Sequence, residues 1–81
     1  MSDKSINILF FGSCAEATER NQWQAAAPVT LCKLKEILEQ RWPRLHQLKY
    51  SFAHNQQIVN DLNTKLCPGD ELALLPPFSG G

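Results

Sequence analysis

The closing residues Pro76-Pro77-Phe78-Ser79-Gly80-Gly81 are where residue types and spacing have an evident chemical use. With no side chains, a Gly80-Gly81 end passes through a channel only a backbone wide, and it lets an enzyme approach the terminal carbonyl closely. Pro76 and Pro77 restrict φ and favour an extended exit, so residues 76–81 are expected to project as a tail. A carboxylate is a poor acyl donor until one oxygen becomes a leaving group, for instance as an acyl-adenylate. Once activated, it accepts sulfur as a thiocarboxylate or is joined to an amine. Against this stands a frayed terminus that carries small residues by accident.

The rest of the chain offers no machinery for that activation. His46 and His54 are the only histidines, and neither belongs to a triad, an HExxH or a Cys-His motif. His54 falls in an alternating segment and reads as a packed or half-buried residue. Neither GxGxxG nor GxxxxGK[ST] occurs, so nothing is built to cradle a nucleotide. Asp70 and Glu71 follow Gly69 in a turn, where their ordinary role is turn chemistry. Cys14, Cys32 and Cys67 are odd in number, widely separated and outside any CxxC spacing. They are expected to be small buried hydrophobes in a reducing compartment, with neither a disulfide nor a metal site. The chain therefore reads as a carrier that partners handle, with no catalytic residues of its own.

Size agrees with that reading. Eighty-one residues hold one small domain over 1–81 and leave no room for a deep substrate-enclosing cavity. Hydrophobic residues at 43% and charged residues at 20% exclude a disordered tail. Eight basic residues balance eight acidic ones, which argues against a nucleic-acid binder, since such proteins carry a basic surplus. No apolar run approaches the roughly 18 residues of a membrane span, and MSDKS lacks the features of a signal peptide, so a cytoplasmic protein without membrane contact is expected.

The elements that must hold out such a tail are legible from periodicity. Residues 6–11 alternate as a strand closed by Gly12, and Ser13 is placed to cap a short helix over 14–20, with Asn21 available to close it. Residues 22–27 suit a modest edge strand through Trp23 and Ala25, or a helix through their alanines. Thr30 is the expected N-cap of the main helix, 31 to about 42, whose Leu31, Leu34, Ile37, Leu38 and Trp42 share one face. Lys33, Lys35, Glu36, Glu39 and Gln40 then form a solvated face. Pro43 ends the helix. Strands are expected over 49–54, 57–59 and 71–75, the last entered through the turn Cys67-Pro68-Gly69-Asp70.

This order implies an α+β fold, a mixed sheet packed on one main helix, with the first and last strands adjacent and parallel at its centre. If Ile6, Ile8, Phe10, Leu72 and Leu74 face the helix, then Leu9, Phe11, Ala73 and Leu75 face away from it. Leu9, Phe11 and Leu75, with Ile58, would form an exposed apolar patch beside the tail, of the kind that marks an interaction site. The competing reading is that the short helix or a loop covers them.

The opening Ile8-Leu9-Phe10-Phe11, the Asn55 turn, and above all Pro68-Gly69-Asp70-Glu71-Leu72-Ala73 running on to Pro76-Pro77-Phe78-Ser79-Gly80-Gly81 carry a resemblance to a known family. The chain resembles MoaD, the small subunit of molybdopterin synthase, one of the ubiquitin-like sulfur carriers, over nearly all residues after the first five. That resemblance implies a β-grasp fold and a role in molybdenum cofactor biosynthesis. It implies that a MoeB-like adenylating enzyme activates the terminal glycine with ATP, with no cofactor held tightly by the carrier. A sulfur donor then makes the thiocarboxylate, and a MoaE-like large subunit receives the tail in a hetero-oligomer and passes sulfur to cyclic pyranopterin monophosphate. Carried onto this sequence, Gly81 bears the sulfur, Gly80 permits threading, and Phe11, Ile58, Leu75, Pro76, Pro77 and Phe78 meet the partner. The chain departs from the family pattern at Asn21, where a glycine is usual, and at His54, which replaces an aliphatic residue. The alternatives are a ThiS-like or tRNA-thiolation sulfur carrier and a ubiquitin-like protein modifier. From a third class comes a plain interaction module.

Overall fold

The computed structural model describes residues 4–76. Chain order runs β1 (Ser5–Phe10), α1 (Ser13–Thr18), β2 (Gln22–Ala26), β3 (Val29–Thr30), α2 (Leu31–Arg41), a 3-10 helix (Pro43–Gln47), β4 (Ser51–His54), β5 (Gln57–Val59), β6 (Lys65–Leu66) and β7 (Glu71–Leu75). Five strands form one sheet in the order β2-β1-β7-β4-β5, and β3 pairs with β6 in a small second sheet. Within the large sheet β1 and β7 run parallel, while β1–β2, β7–β4 and β4–β5 are antiparallel. A parallel central pair with antiparallel strands on both sides, packed on one main helix, is the β-grasp arrangement of ubiquitin-like proteins.

Strand alternation builds the core. Ile6, Ile8 and Phe10 on β1 and Leu72 and Leu74 on β7 are buried against Leu31, Leu34 and Leu38 of α2. Burying each such side chain is worth roughly 1.5 to 3 kcal/mol. Thr30 caps α2 as expected, its Oγ1 accepting the Lys33 N–H at 3.2 Å. Trp42 ends the helix in a non-helical conformation ahead of Pro43. Its ring stacks edge-on against Phe10 at 5.4 Å and Trp23 at 5.2 Å, closing that end of the core, with Arg41 over the Trp23 ring.

Several expectations are corrected. Ser13 does not cap α1: Gly12 occupies that position and no side chain bonds there, while Glu19 in a left-handed conformation closes the helix instead of Asn21. Of residues 22–27, 22–26 form the edge strand β2, because pairing with β1 outweighs the helical preference of the alanines. The strand expected from residue 49 begins at Ser51, since the 3-10 helix turns the chain inward and fully buries Leu45. The β3–β6 pair was not visible in the sequence, because each strand has only two residues. Among the cysteines only Cys14 is buried; Cys32 and Cys67 are exposed. Glu39 is not a solvated residue: it accepts from Tyr50 Oη at 2.7 Å and Lys35 Nζ at 3.0 Å. Burial pushes its carboxyl up, but these bonds outweigh burial and hold it below the usual range. Burial and the same Glu39 carboxylate raise the Tyr50 phenol.

Candidate functional site

The site is the face of the sheet turned away from α2, together with the point where β7 leaves it. Register places Leu9, Ala73, Ala53 and Ile58 in one row across β1, β7, β4 and β5. On the next level Leu75 pairs with Ser51, and the Phe11 N–H donates to Leu74 O at 3.2 Å, which sets Phe11 beside the end of β7. Phe11 is 46% exposed and Ile58 57% exposed, while Leu9 and Leu75 are half-buried. Ala73 and Ala53 are nearly covered because strands flank them on both sides. Neither α1 nor a loop covers Phe11 or Ile58, so the covered-face alternative fails for these two residues. Leu62 is also exposed, but it lies in the loop beside the start of α2, where its carbonyl accepts the Cys32 N–H.

Pro76 directly follows β7. It is half-buried and sits so close to Gly12 that a Cβ added to Gly12 would lie 2.9 Å from Pro76 Cγ. Gly12 has φ +54°, in the left-handed region that favours glycine. Gly12, two residues past β1, thus leaves space for Pro76, the first residue past β7. The expected contact residues Pro77 and Phe78, and the expected functional glycines Gly80 and Gly81, lie outside the described residues.

The other end of the sheet is polar and fixes where β7 starts. Asn55, at φ +51° in the β4–β5 turn, accepts the Glu71 N–H on its Oδ1 at 2.9 Å, and its backbone N–H donates to Glu71 O. Asp70 Oδ2 accepts the Cys67 N–H at 2.9 Å and lies 2.8 Å from His54 Nε2. The Cys67 backbone bond first, and the His54 bond next, hold the Asp70 carboxyl below its ordinary value. Between this end and the apolar rows lies an open basin of about 610 Å³ bordered by Asn7, Leu9, Arg20, Gln24 and Glu71. Among the described residues no group of three His, Cys, Asp or Glu is placed to hold a metal, and no helix is long and apolar enough to cross a membrane.

Residues 8–81 match the model of the ThiS family. The chain belongs to the ThiS family. A curated relative from Mycobacterium tuberculosis, named molybdopterin synthase sulfur carrier subunit, is 36% identical over 94% of this chain and 96% of its own length. A solved complex of subunits 1 and 2 of molybdopterin-converting factor from Helicobacter pylori contains a chain 29% identical, with TM-score 0.73 over 95% of this chain and 99% of that one. SAMP1 from Haloferax volcanii, at 24% identity and TM-score 0.78, covers 95% of this chain and 99% of its own and shares the fold.

In this ThiS-family chain the structure gathers Phe11, Leu75 and Pro76 around the end of β7 and sets Ile58 on the same face two strands away. From sequence alone Gly12 is legible only as the stop of the first strand. Its fit to Pro76 is a tertiary contact with no local signal. The bonds that tie the β4–β5 turn to the start of β7, from Asn55 to Glu71 and from His54 to Asp70, have no local signal either, although each of the two turns is readable alone.

Proposed function

We propose that this chain is the sulfur carrier subunit of a molybdopterin synthase, acting in the cytoplasm in molybdenum cofactor biosynthesis. The observation that carries this reading is the exposed Phe11 and Ile58 with Leu75 on the face from which β7 leads toward Gly80 and Gly81. The names borne by the relatives support it. In the proposed cycle a carboxylate oxygen of Gly81 attacks the α-phosphate of ATP on a MoeB-like enzyme, forming an acyl-adenylate as pyrophosphate leaves. Hydrosulfide released by a sulfur donor then attacks the acyl carbon, AMP leaves as the C–S bond forms, and loss of a proton gives the thiocarboxylate. The carrier docks its apolar face on a MoaE-like large subunit, Gly80 lets the end thread inward, and sulfur passes to cyclic pyranopterin monophosphate. The fold's contribution is to present the reactive group; ATP belongs to the activating partner.

Incubation with an adenylating enzyme, ATP and a sulfur donor, followed by intact-mass analysis, tests the reading. One oxygen replaced by sulfur at Gly81, and transfer of that sulfur to the pterin precursor on the large subunit, is the expected result. Sulfur passed only to a thiazole precursor or to tRNA would move the chain to another sulfur-carrier branch. Lysine-linked adducts without a thiocarboxylate would make it a protein modifier.

A further inference from the structure

Among the described residues the edge strand β2 has no strand on its outer side, and the ladder it leaves there is self-complementary. The Phe10 N–H donates to Asn21 O and the Ala27 N–H to Lys4 O, both at 2.9 Å, in the register that pairs Ile8 with Trp23 and Ile6 with Ala25. Bonded and non-bonded pairs alternate along an antiparallel ladder. The N–H and C=O groups of Trp23 and Ala25 therefore point toward β1, and those of Gln22, Gln24 and Ala26 point outward. Among the described residues no strand lies beyond β2. Exposed edges are ordinarily guarded by charge, proline or a bulge. Residues 22–26, Gln-Trp-Gln-Ala-Ala, carry none of the first two, and their register with β1 is unbroken.

We propose that β2 is a self-association strand, two copies pairing antiparallel about a two-fold axis at Gln24. In that register Gln24 faces Gln24 of the other copy and Gln22 faces its Ala26, so every outward N–H and C=O of the strand finds a partner. Side chains match as well. On the α2 side the large Trp23 falls opposite the small Ala25 of the other copy. On the opposite side Gln24 already donates through Nε2 to Asn7 Oδ1 at 3.1 Å, which leaves its Oε1 and second N–H for the facing Gln24. No residue within the strand sets like charges across the axis. Phe11, Ile58 and Leu75 lie on or beside other strands, so both docking faces stay open and the two tails are carried by one continuous sheet. A contact this small is weak and concentration-dependent.

Sedimentation velocity and amide exchange on the full chain, over a concentration series, test this. The expected mass rises from 9.1 kDa toward twice that value. The Gln22, Gln24 and Ala26 amides gain protection with concentration, whereas those of Trp23 and Ala25 are protected throughout. Gln24→Lys and Gln24→Pro each abolish the rise while retaining the monomer's circular dichroism, since an edge strand tolerates proline at an outward N–H. Phe11→Asp leaves association unchanged. A constant 9.1 kDa at every concentration overturns the proposal, as does an association that survives both Gln24 variants or is lost in Phe11→Asp.

Discussion

His54 Nε2 lies 2.8 Å from Asp70 Oδ2, and this contact ties the end of β4 to the turn that launches β7. Asp70 also accepts the Cys67 N–H, and Asn55 Nδ2 approaches its Oδ1 at 3.3 Å, so one carboxylate gathers both turns at the polar end of the sheet. Its pKa is lowered on folding, first by the Cys67 bond and then by His54. A lowered carboxylate adds stability that is present above its unfolded value, near 4, and is lost as pH falls through the folded value. Asp70→Asn, which removes the charge but keeps a carbonyl acceptor for the Cys67 N–H, should lower stability at neutral pH by roughly 0.5 to 1 kcal/mol, the scale of a solvent-screened charged hydrogen bond. Denaturant titrations at several pH values should show the gap between wild type and variant closing in acid. A gap that stays constant down to the acid limb would mean the charge does not contribute.

The tail root gives a different expectation. Gly12 combines a positive φ with a Cβ position 2.9 Å from Pro76 Cγ, so Gly12→Val strains the backbone and also pushes the proline aside. Stability should fall by about 1 to 3 kcal/mol. Because the displaced residue begins the tail, sulfur transfer per folded molecule should fall as well. Comparing transfer rates at matched folded fractions checks this. A variant that loses stability but transfers sulfur at the wild-type rate would show that the Gly12–Pro76 contact does not aim the tail.

Face assignment on the sheet separates docking from folding. Phe11→Ala and Ile58→Ala remove side chains that are about half exposed, so each should cost little stability yet weaken binding to the large subunit by tenfold or more, about 1.4 kcal/mol. Leu38→Ala, at a fully buried position on α2, should do the reverse: a loss of about 2 to 5 kcal/mol in stability with affinity per folded molecule unchanged. Thermal melts and titration calorimetry on the three variants give both quantities. If Phe11→Ala destabilises as much as Leu38→Ala, Phe11 belongs to the core.

Much of this arrangement was legible because alternation with a period of two, read on β1 and β7, fixes both the core row and the outward row once one face is assigned. Ile8 and Leu72 turned inward, Leu9 and Leu75 outward, as their spacing requires. Thr30 and Pro43 marked the ends of α2 through purely local chemistry. What escaped depends on contacts far apart in sequence. The 3-10 helix that buries Leu45, the two-residue β3–β6 pairing and the inward role of Glu39 have no periodic signature, because each is set by a neighbour that only the folded chain supplies. Cys32 and Cys67 are exposed against the general preference of cysteine for burial, because position in the fold and not residue type decides their surroundings.

Deleting Gly81 tests the proposed function most directly. The deletion leaves β7 and the described core intact, so circular dichroism and the thermal midpoint should match wild type. Docking through Phe11, Ile58 and Leu75 should also be retained, since none of these side chains is altered. The new terminal carboxyl on Gly80 would fall short of its former reach by roughly 3.5 Å, the span of one extended residue. A displacement of even about 1 Å can slow a positioned reaction by two orders of magnitude, so adenylation and sulfur transfer should both drop to background. Two measurements are needed together: intact mass after charging, and sulfur delivered to the pterin precursor on the large subunit. A truncated chain that still charges and delivers at the full rate would place the reactive group elsewhere and leave the chain as a plain interaction module.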